Sequence, residues 1–142
     1  MKKTFVLLTL LASVVLAMDG KKMTIYKSPY CGCCTKWADI MKDKGFEVNT
    51  IKTNNMNQVK SQLGVSSRNA SCHTAIIDGY VIEGHVNYSE IKKMLTEKPK
   101  IRGLAVPGMP IGSPGMEQGN IKQKYDVLYI NNDGTTGTYK AY

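Results

Sequence analysis

The sequence has few of the features that nucleic-acid-binding proteins need. Only two of its 19 basic residues are arginines, Arg68 and Arg102, and the lysines are scattered rather than gathered into one long block. Specific recognition of DNA or RNA relies on arginine and lysine clustered on one face. The formal net charge of +8 therefore describes a solvated basic surface, and we expect no nucleic-acid partner.

The sequence also lacks an apolar run that is long enough to cross a bilayer comfortably. Its longest run, Thr4 to Leu16, follows the basic head Met1-Lys2-Lys3 and ends at Ala17. A membrane span needs about 20 apolar residues, whereas a basic head, a shorter run and a small residue make a secretory signal peptide. We expect residues 1–17 to be that peptide, with an uncleaved anchor as the alternative. No cysteine follows Ala17 directly, which excludes lipid attachment there, so the exported chain 18–142 should have no membrane contact.

Cysteine is scarce and unevenly placed. The four cysteines are Cys31, Cys33, Cys34 and Cys72. An even number in an exported protein first suggests a disulfide framework. Three of them, however, lie within four consecutive residues, where bridges would close very small loops and add little stability. The clustering therefore predicts chemistry at sulfur rather than a disulfide scaffold.

The hydrophobic pattern predicts an α/β fold with a mixed sheet. An amphipathic helix from Cys34 presents Trp37, Ile40 and Met41 on one face and stops at Gly45. The predicted strands are residues 23–26, 46–51, 74–77 and 80–82. The first two flank the helix and should be parallel.

Further turn and cap signals organise the rest of the chain. A short helix over 58–63 precedes the last two of those strands, which Asp78-Gly79 joins in a tight antiparallel hairpin. Ser89 is the predicted N-cap of a helix over 90–97. The order strand, helix, strand, helix, hairpin, helix is that of a thioredoxin-like domain.

Two segments carry a resemblance to the glutaredoxins within that fold. Residues 25–34, together with 44–48 after the helix, are similar to the glutaredoxin opening, and residues 77–84 resemble the hairpin that closes the fold. The resemblance covers residues 23–97 and implies a thioredoxin-like (glutaredoxin-like) mixed sheet flanked by helices. We expect one domain over 18–142.

Beyond this core the chain changes composition. Residues 99–121 are rich in glycine and proline and carry Met109 and Met116, so we expect a loop there, followed by a terminal β-hairpin over 124–142.

Cys31 and Cys34 alone form a Cys-x-x-Cys motif at a helix N-terminus. Backbone N–H groups and the helix dipole stabilise a thiolate there, which lowers the cysteine pKa. A thiol–disulfide oxidoreductase, with Cys31 as nucleophile and Cys34 as resolving thiol, is therefore one interpretation. Cys33 disfavours it, because a third thiol inside the motif competes for either neighbour.

The thioredoxin-like resemblance also predicts where Cys72 lies. It implies that His73 occupies the place of a cis-proline that lies against the active-site cysteines and helps to keep metal out. Cys72 would then face the other three thiols. His73 is either a ligand or a structural histidine, and His85, just past the hairpin, is predicted to be structural or solvent-facing.

Four such thiols suit cuprous copper better than a single zinc ion. Adjacent Cys33 and Cys34 diverge, which hinders joint coordination of one tetrahedral Zn²⁺, whereas thiolates readily bridge several Cu(I) ions. A structural zinc module stays an alternative. Thioethers are also soft ligands, so Met109 and Met116 are either a lid over the copper or core-filling residues.

Three motifs in order complete a family resemblance. They are the cysteine spacing, Cys72-His73-Thr74-Ala75, and the Gly-Met-Pro-Ile-Gly-Ser-Pro-Gly-Met-Glu stretch at 108–117. Together they resemble the CopG-type exported metal-binding proteins, which are associated with copper resistance. The resemblance implies a thioredoxin-like fold, a periplasmic setting and copper bound by Cys31, Cys33, Cys34 and Cys72. We expect such a protein to sequester copper or pass it to other periplasmic copper-handling proteins. A copper-linked redox activity stays open.

Overall fold

The computed structural model describes residues 20–142, so the expected signal peptide lies outside the described residues. Within this part of the chain, three α-helices and seven strands follow one another. In order they are β1 Lys22–Lys27, α1 Gly32–Asp43, β2 Glu47–Lys52, α2 Met56–Gln62, β3 His73–Ile77, β4 Tyr80–Glu83, α3 Tyr88–Glu97, β5 Gly103–Ala105, β6 Asp126–Ile130 and β7 Thr136–Ala141. Across residues 20–142, no helix has both the length and the apolar character that a membrane crossing requires.

The seven strands form one mixed sheet in the order β2-β1-β3-β4-β5-β6-β7. β1 pairs with β2 in parallel, as the predicted strand–helix–strand unit requires, and β4 pairs with β5 in parallel. The remaining neighbours are antiparallel. The predicted α/β class with a mixed sheet is therefore confirmed.

Helix α1 follows its predicted amphipathic pattern. Trp37 and Met41 are fully buried in the main core, and Ile40 packs against it at the edge. The helix begins at Gly32 rather than at Cys34, because Cys31 is its N-cap. It ends at Asp43, just before Gly45, whose φ of +97° is readily available only to glycine.

The β3–β4 hairpin has the predicted tight turn. Asp78 and Gly79 both have positive φ, at 47° and 81°, as a two-residue type I′ connection requires. The register pairs Ile77 with Tyr80 and Thr74 with Glu83. The pairing extends beyond the strands, since the Gly84 N–H donates to the His73 carbonyl at 3.0 Å.

The predicted cap of α3 is wrong. The helix begins at Tyr88, and its N-cap is Asn87 rather than Ser89. The Asn87 side chain gives no capping bond because its Oδ1 accepts from the Tyr125 hydroxyl at 3.0 Å. Ser89 lies inside the first turn and donates to Glu90 at 2.6 Å.

The predicted loop over 99–121 contains a strand. β5 lies between β4 and β6 and brings Leu104 into the core. A Cβ at Gly103 would lie 1.7 Å from the Val81 carbonyl oxygen, so only glycine permits this approach. Residues 106–117, here called the strap, then run back across the end of the sheet that carries the cysteines.

Candidate metal centre

Three of the four cysteines lie at the start of α1. Cys31 is the N-cap, and its Sγ accepts the Cys34 backbone N–H at 3.3 Å. Cys34 is buried within the helix, whereas Cys31 and Cys33 are half-buried. Because a cysteine occupies the N-cap position, the sulfurs of the motif lie at the positive end of the helix dipole.

Cys31 and Cys34 are joined by a disulfide, and Cys33 and Cys72 are free. The predicted copper site needs all four cysteines as thiolates. In the disulfide form, Cys31 and Cys34 carry no thiolate charge, so two of the four predicted ligands are withdrawn. A four-thiolate site therefore requires reduction of this bond.

Cys72 approaches the motif from the loop that precedes β3. Its Sγ lies 4.0 Å from the Cys33 Sγ, which is itself 3.5 Å from the Cys31 Sγ. All four sulfurs lie within 4.8 Å of one another, so the predicted convergence of these cysteines is present. Burial, reinforced by the neighbouring Cys33, raises the pKa of Cys72 to about 12, so this thiol is protonated at neutral pH.

His85 is the site residue that sequence reasoning missed. Of the two predicted alternatives, structural or solvent-facing, the solvent-facing one is wrong, because His85 is fully buried and its Nε2 lies 3.0 Å from the Cys72 Sγ. Its Nδ1 donates to the Pro114 carbonyl at 2.7 Å, which leaves the lone pair of Nε2 directed at Cys72. Metal-binding histidines are commonly oriented by such a bond from the second ring nitrogen.

The hairpin register was the signal that could have found His85. An Asp-Gly turn at 78–79 pairs Ile77 with Tyr80. Each further step away from the turn pairs the preceding residue of β3 with the following residue of β4. Continuing past Thr74 and Glu83 places Cys72 opposite His85.

His73 is also brought to Cys72. Its Nδ1 lies 3.3 Å from the Cys72 Sγ, and its ring packs against Trp37 at a centroid distance of 4.5 Å. The other ring nitrogen, Nε2, is buried and has no hydrogen-bond partner among the described residues. Burial and the nearby His85 lower the pKa of His73 well below its usual value.

Both histidines are therefore neutral at pH 7. Burial also lowers the pKa of His85, although its bond to Pro114 opposes the shift. A neutral imidazole has a lone pair free for a metal. Cys72, His73 and His85 place their donor atoms within 4.8 Å of one another, so a second donor group shares Cys72 with the cysteine cluster.

The strap packs against both halves of this site. The Gly108 N–H donates to the Ala70 carbonyl at 3.1 Å, and the Ser71 hydroxyl donates to the Gly108 carbonyl. Further along, a Cβ at Gly115 would lie 3.1 Å from the Cys33 carbonyl oxygen and 3.1 Å from the Trp37 nitrogen. The strap thus connects the Cys72 loop to the start of α1.

The two methionines of the strap occupy different positions. Met109 is 51% exposed and lies in an open cleft of about 610 Å³ with Tyr125 and Leu128, whose lining includes none of the site's cysteines or histidines. Met116 is half-buried in the turn where the Gly112 N–H donates to its carbonyl. A role for either thioether as a copper ligand stays a prediction.

Comparison with known proteins identifies the family. The family described as "Protein of unknown function, DUF411" matches residues 69–116, which include Cys72, both histidines and the strap. A solved structure described as copper resistance protein CopG, form 2, is 39% identical, with a TM-score of 0.83 over 87% of this chain and 99% of that one. This chain belongs to the CopG family. Form 1 of the same protein matches at 39% identity with a TM-score of 0.82, over 87% of this chain and 98% of that chain.

No curated protein matches this CopG-family chain. The resemblance inferred from its three motifs is confirmed. The donor set of this CopG-family chain, four sulfurs and two neutral imidazoles, is the chemistry that copper and other soft or borderline metals prefer.

Proposed function

We propose that this CopG-family protein is a periplasmic protein that binds Cu(I) for copper resistance, holding it through Cys31, Cys33, Cys34 and Cys72. The observation that carries the proposal is the approach of all four sulfurs to within 4.8 Å, from two segments 38 residues apart in sequence (Cys34 to Cys72). The copper resistance proteins that the chain resembles support the choice of metal.

The helical position of the motif supports a cluster rather than one ion. Successive residues on a helix point about 100° apart, so Cys33 and Cys34 direct their sulfurs in different directions. Thiolates that diverge in this way bridge neighbouring Cu(I) ions more readily than they share one. His85, and with it His73, would complete the coordination on the Cys72 side.

The proposal extends to the setting of the site. The signal peptide at 1–17 would deliver a single domain, 18–142, to the periplasm. Its strand order around β1, β3 and β4 agrees with a thioredoxin-like core, in which His73 replaces a metal-excluding proline. The bound copper would be sequestered or passed to other periplasmic copper-handling proteins.

The proposal is tested by counting copper on the reduced protein. Residues 18–142 are reduced, loaded with Cu(I) without oxygen, and assayed by elemental analysis against a competing chelator. We expect at least one tightly bound ion per chain, and a lower count or affinity for Cys72→Ser. Met41→Leu removes a buried thioether of the same helix at nearly constant volume and should change neither. Weak binding by the parent protein, or no effect of Cys72→Ser, would rule the proposal out.

The disulfide favours a second function. A Cys31–Cys34 bond at a helix N-terminus is what a thiol–disulfide or copper-linked oxidoreductase would carry in its oxidised state. A thiol–disulfide oxidoreductase should reduce a test disulfide or oxidise a test dithiol without metal, and its turnover should survive Cys33→Ser and Cys72→Ser. Absence of turnover in the metal-free reduced protein would remove the thiol–disulfide enzyme, whereas a copper-linked oxidoreductase would show turnover only after copper is added.

A further inference from the structure

We propose that Glu83 is a positioning residue, with Lys60 as its counter-ion, that holds the Cys72 thiol beside Cys33. The identity of the bound ion, Cu(I), rests on the function proposed above. The positioning itself depends only on side-chain geometry and can be measured without metal.

The Glu83 carboxylate is fully buried and accepts three groups. It accepts the Ser71 backbone N–H at 2.7 Å and the Thr74 hydroxyl at 2.6 Å, and it forms an ion pair with the Lys60 ammonium. Lys60 also donates to the Thr74 hydroxyl at 3.0 Å. These contacts hold Ser71 and Thr74, the residues that flank Cys72 and His73.

Cys72 needs such an anchor more than the other cysteines do. Cys33 and Cys34 are fixed by the backbone hydrogen bonds of α1, whereas Cys72 lies outside β3, in the loop that enters it. The Ser71 N–H has no strand partner at that point and is satisfied by Glu83 instead. Loss of the carboxylate would free the backbone directly before the Cys72 side chain.

A buried ion pair such as Lys60–Glu83 is in general weak evidence of a role in stability alone. Replacing such a pair by well-packed apolar side chains is often neutral or stabilising, whereas removing one partner leaves a costly buried charge. Glu83 pairs with Thr74 across the hairpin and lies two residues before His85. We therefore assign these charges to the positioning of Cys72. The Glu83 carboxylate holds the loop that enters β3, and the Glu83 backbone leads on to His85.

The test compares three variants. Lys60→Met/Glu83→Leu removes both charges together and so avoids an unpaired one, while Glu83→Gln keeps one oxygen for the Ser71 N–H. Glu90→Gln is the matched control, because Glu90 is a buried carboxylate that accepts the Ser89 and Tyr142 hydroxyls at 2.6 Å each and contacts none of the cysteine loop.

The first measurement uses metal-free protein in which Cys31 and Cys34 are oxidised. Diamide then drives disulfide formation between Cys33 and Cys72, and quenched alkylation with mass spectrometry gives the rate. We expect the paired variant to react about tenfold or more slowly than the parent, because small misplacements strongly reduce intramolecular rates. Glu83→Gln should recover part of the rate, and Glu90→Gln should react like the parent.

The second measurement is Cu(I) affinity of the reduced proteins. We expect a loss of about 10- to 100-fold for the paired variant, the range typical of residues that orient metal ligands. The measurement is then repeated with Cys72→Ser added to every protein. In that background the paired replacement should cause no further loss of Cu(I) affinity.

Parent-like disulfide rate and copper affinity in the paired variant, or in Glu83→Gln if the paired variant does not fold, would overturn the positioning role. So would an equal loss of affinity with and without Cys72. A slowed rate together with a parent protein that binds no copper would support the positioning and refute the copper function.

Discussion

Cys72 lies among donor atoms from three separate segments of the chain. Cys33 approaches it from α1 at 4.0 Å, His73 from β3 at 3.3 Å, and His85 from beyond β4 at 3.0 Å. Both histidines are buried and neutral, so each can offer a lone pair rather than a positive charge to a cation. Among single residues, His85 is the one best oriented to add nitrogen to the sulfur site.

His85→Gln should weaken Cu(I) binding by about 10- to 100-fold, as loss of a ligand or of a residue that orients one does in other metal sites. Competition with a chromophoric Cu(I) chelator measures the change. Ser113→Ala is the control, because it removes a buried side chain on the strap that also bonds a backbone carbonyl, Pro110, at 2.7 Å. Unchanged affinity in His85→Gln, or an equal loss in Ser113→Ala, would contradict a ligand role.

The sequence predicted the cysteines of the site better than its histidines. Clustered cysteines have few structural uses, so the spacing of Cys31, Cys33 and Cys34 was enough to predict a site. The position of Cys72 relative to the Asp78-Gly79 turn predicted that it lies beside them. A histidine has many uses, so His85 was not recognised as a site residue, although the register of the hairpin places it opposite Cys72. The outcome at His85 depends on Gly84, whose φ of +72° and contact with Ser71 turn the chain toward Cys72.

Among the elements, the strap contacts both the helix that carries the cysteine motif and the histidine beside Cys72. It approaches α1 at Gly115, where a Cβ would lie 3.1 Å from both the Cys33 carbonyl oxygen and the Trp37 nitrogen and would therefore be crowded. It also accepts the His85 ring N–H at Pro114. The strap therefore restrains both the helix that carries three sulfurs and the histidine beside Cys72.

Gly115→Ala should destabilise the protein by more than Gly119→Ala and should weaken copper binding. Both glycines have positive φ, at 85° and 53°, so both substitutions carry a backbone cost of roughly 1–2 kcal/mol. Only Gly115 has backbone atoms 3.1 Å from the new Cβ, whereas Gly119 has nothing within 4 Å. The added overpacking should cost about 1–3 kcal/mol more.

Chemical denaturation and chelator competition measure the two effects of this pair. Equal stability of the two variants would show that the strap does not pack tightly on α1 in solution. A destabilised Gly115→Ala protein with parent-like copper affinity would show that packing of the strap does not affect copper binding.

The elements that sequence predicted well are those with long periodic patterns. α1 and α3 bury the apolar faces expected of them, including Trp37, Met41 and Met94. β5 was missed because three residues in a glycine- and proline-rich segment show no alternation, and its place depends on Gly103 fitting against Val81. The N-cap of α3 was misplaced because Asn87 is held by Tyr125, which is distant in sequence.

In the molecule as a whole, the disulfide and the proposed copper site use the same sulfurs. The Cys31–Cys34 disulfide removes two thiolates from a cluster whose other members are Cys33 and Cys72. A ligand that binds only the reduced form must stabilise that form by mass action. Because such coupling is reciprocal, the disulfide must weaken copper binding by the same factor by which copper disfavours the disulfide.

The most direct test of this account is the Cu(I) affinity and stoichiometry of one protein preparation in two redox states. Half is fully reduced, half retains the Cys31–Cys34 disulfide, and both are titrated without oxygen against a competing chelator, with a free-thiol count on each. The four-sulfur site predicts tight binding in the reduced half, and fewer ions or at least about tenfold weaker binding in the oxidised half. Equal binding by the two halves would contradict it.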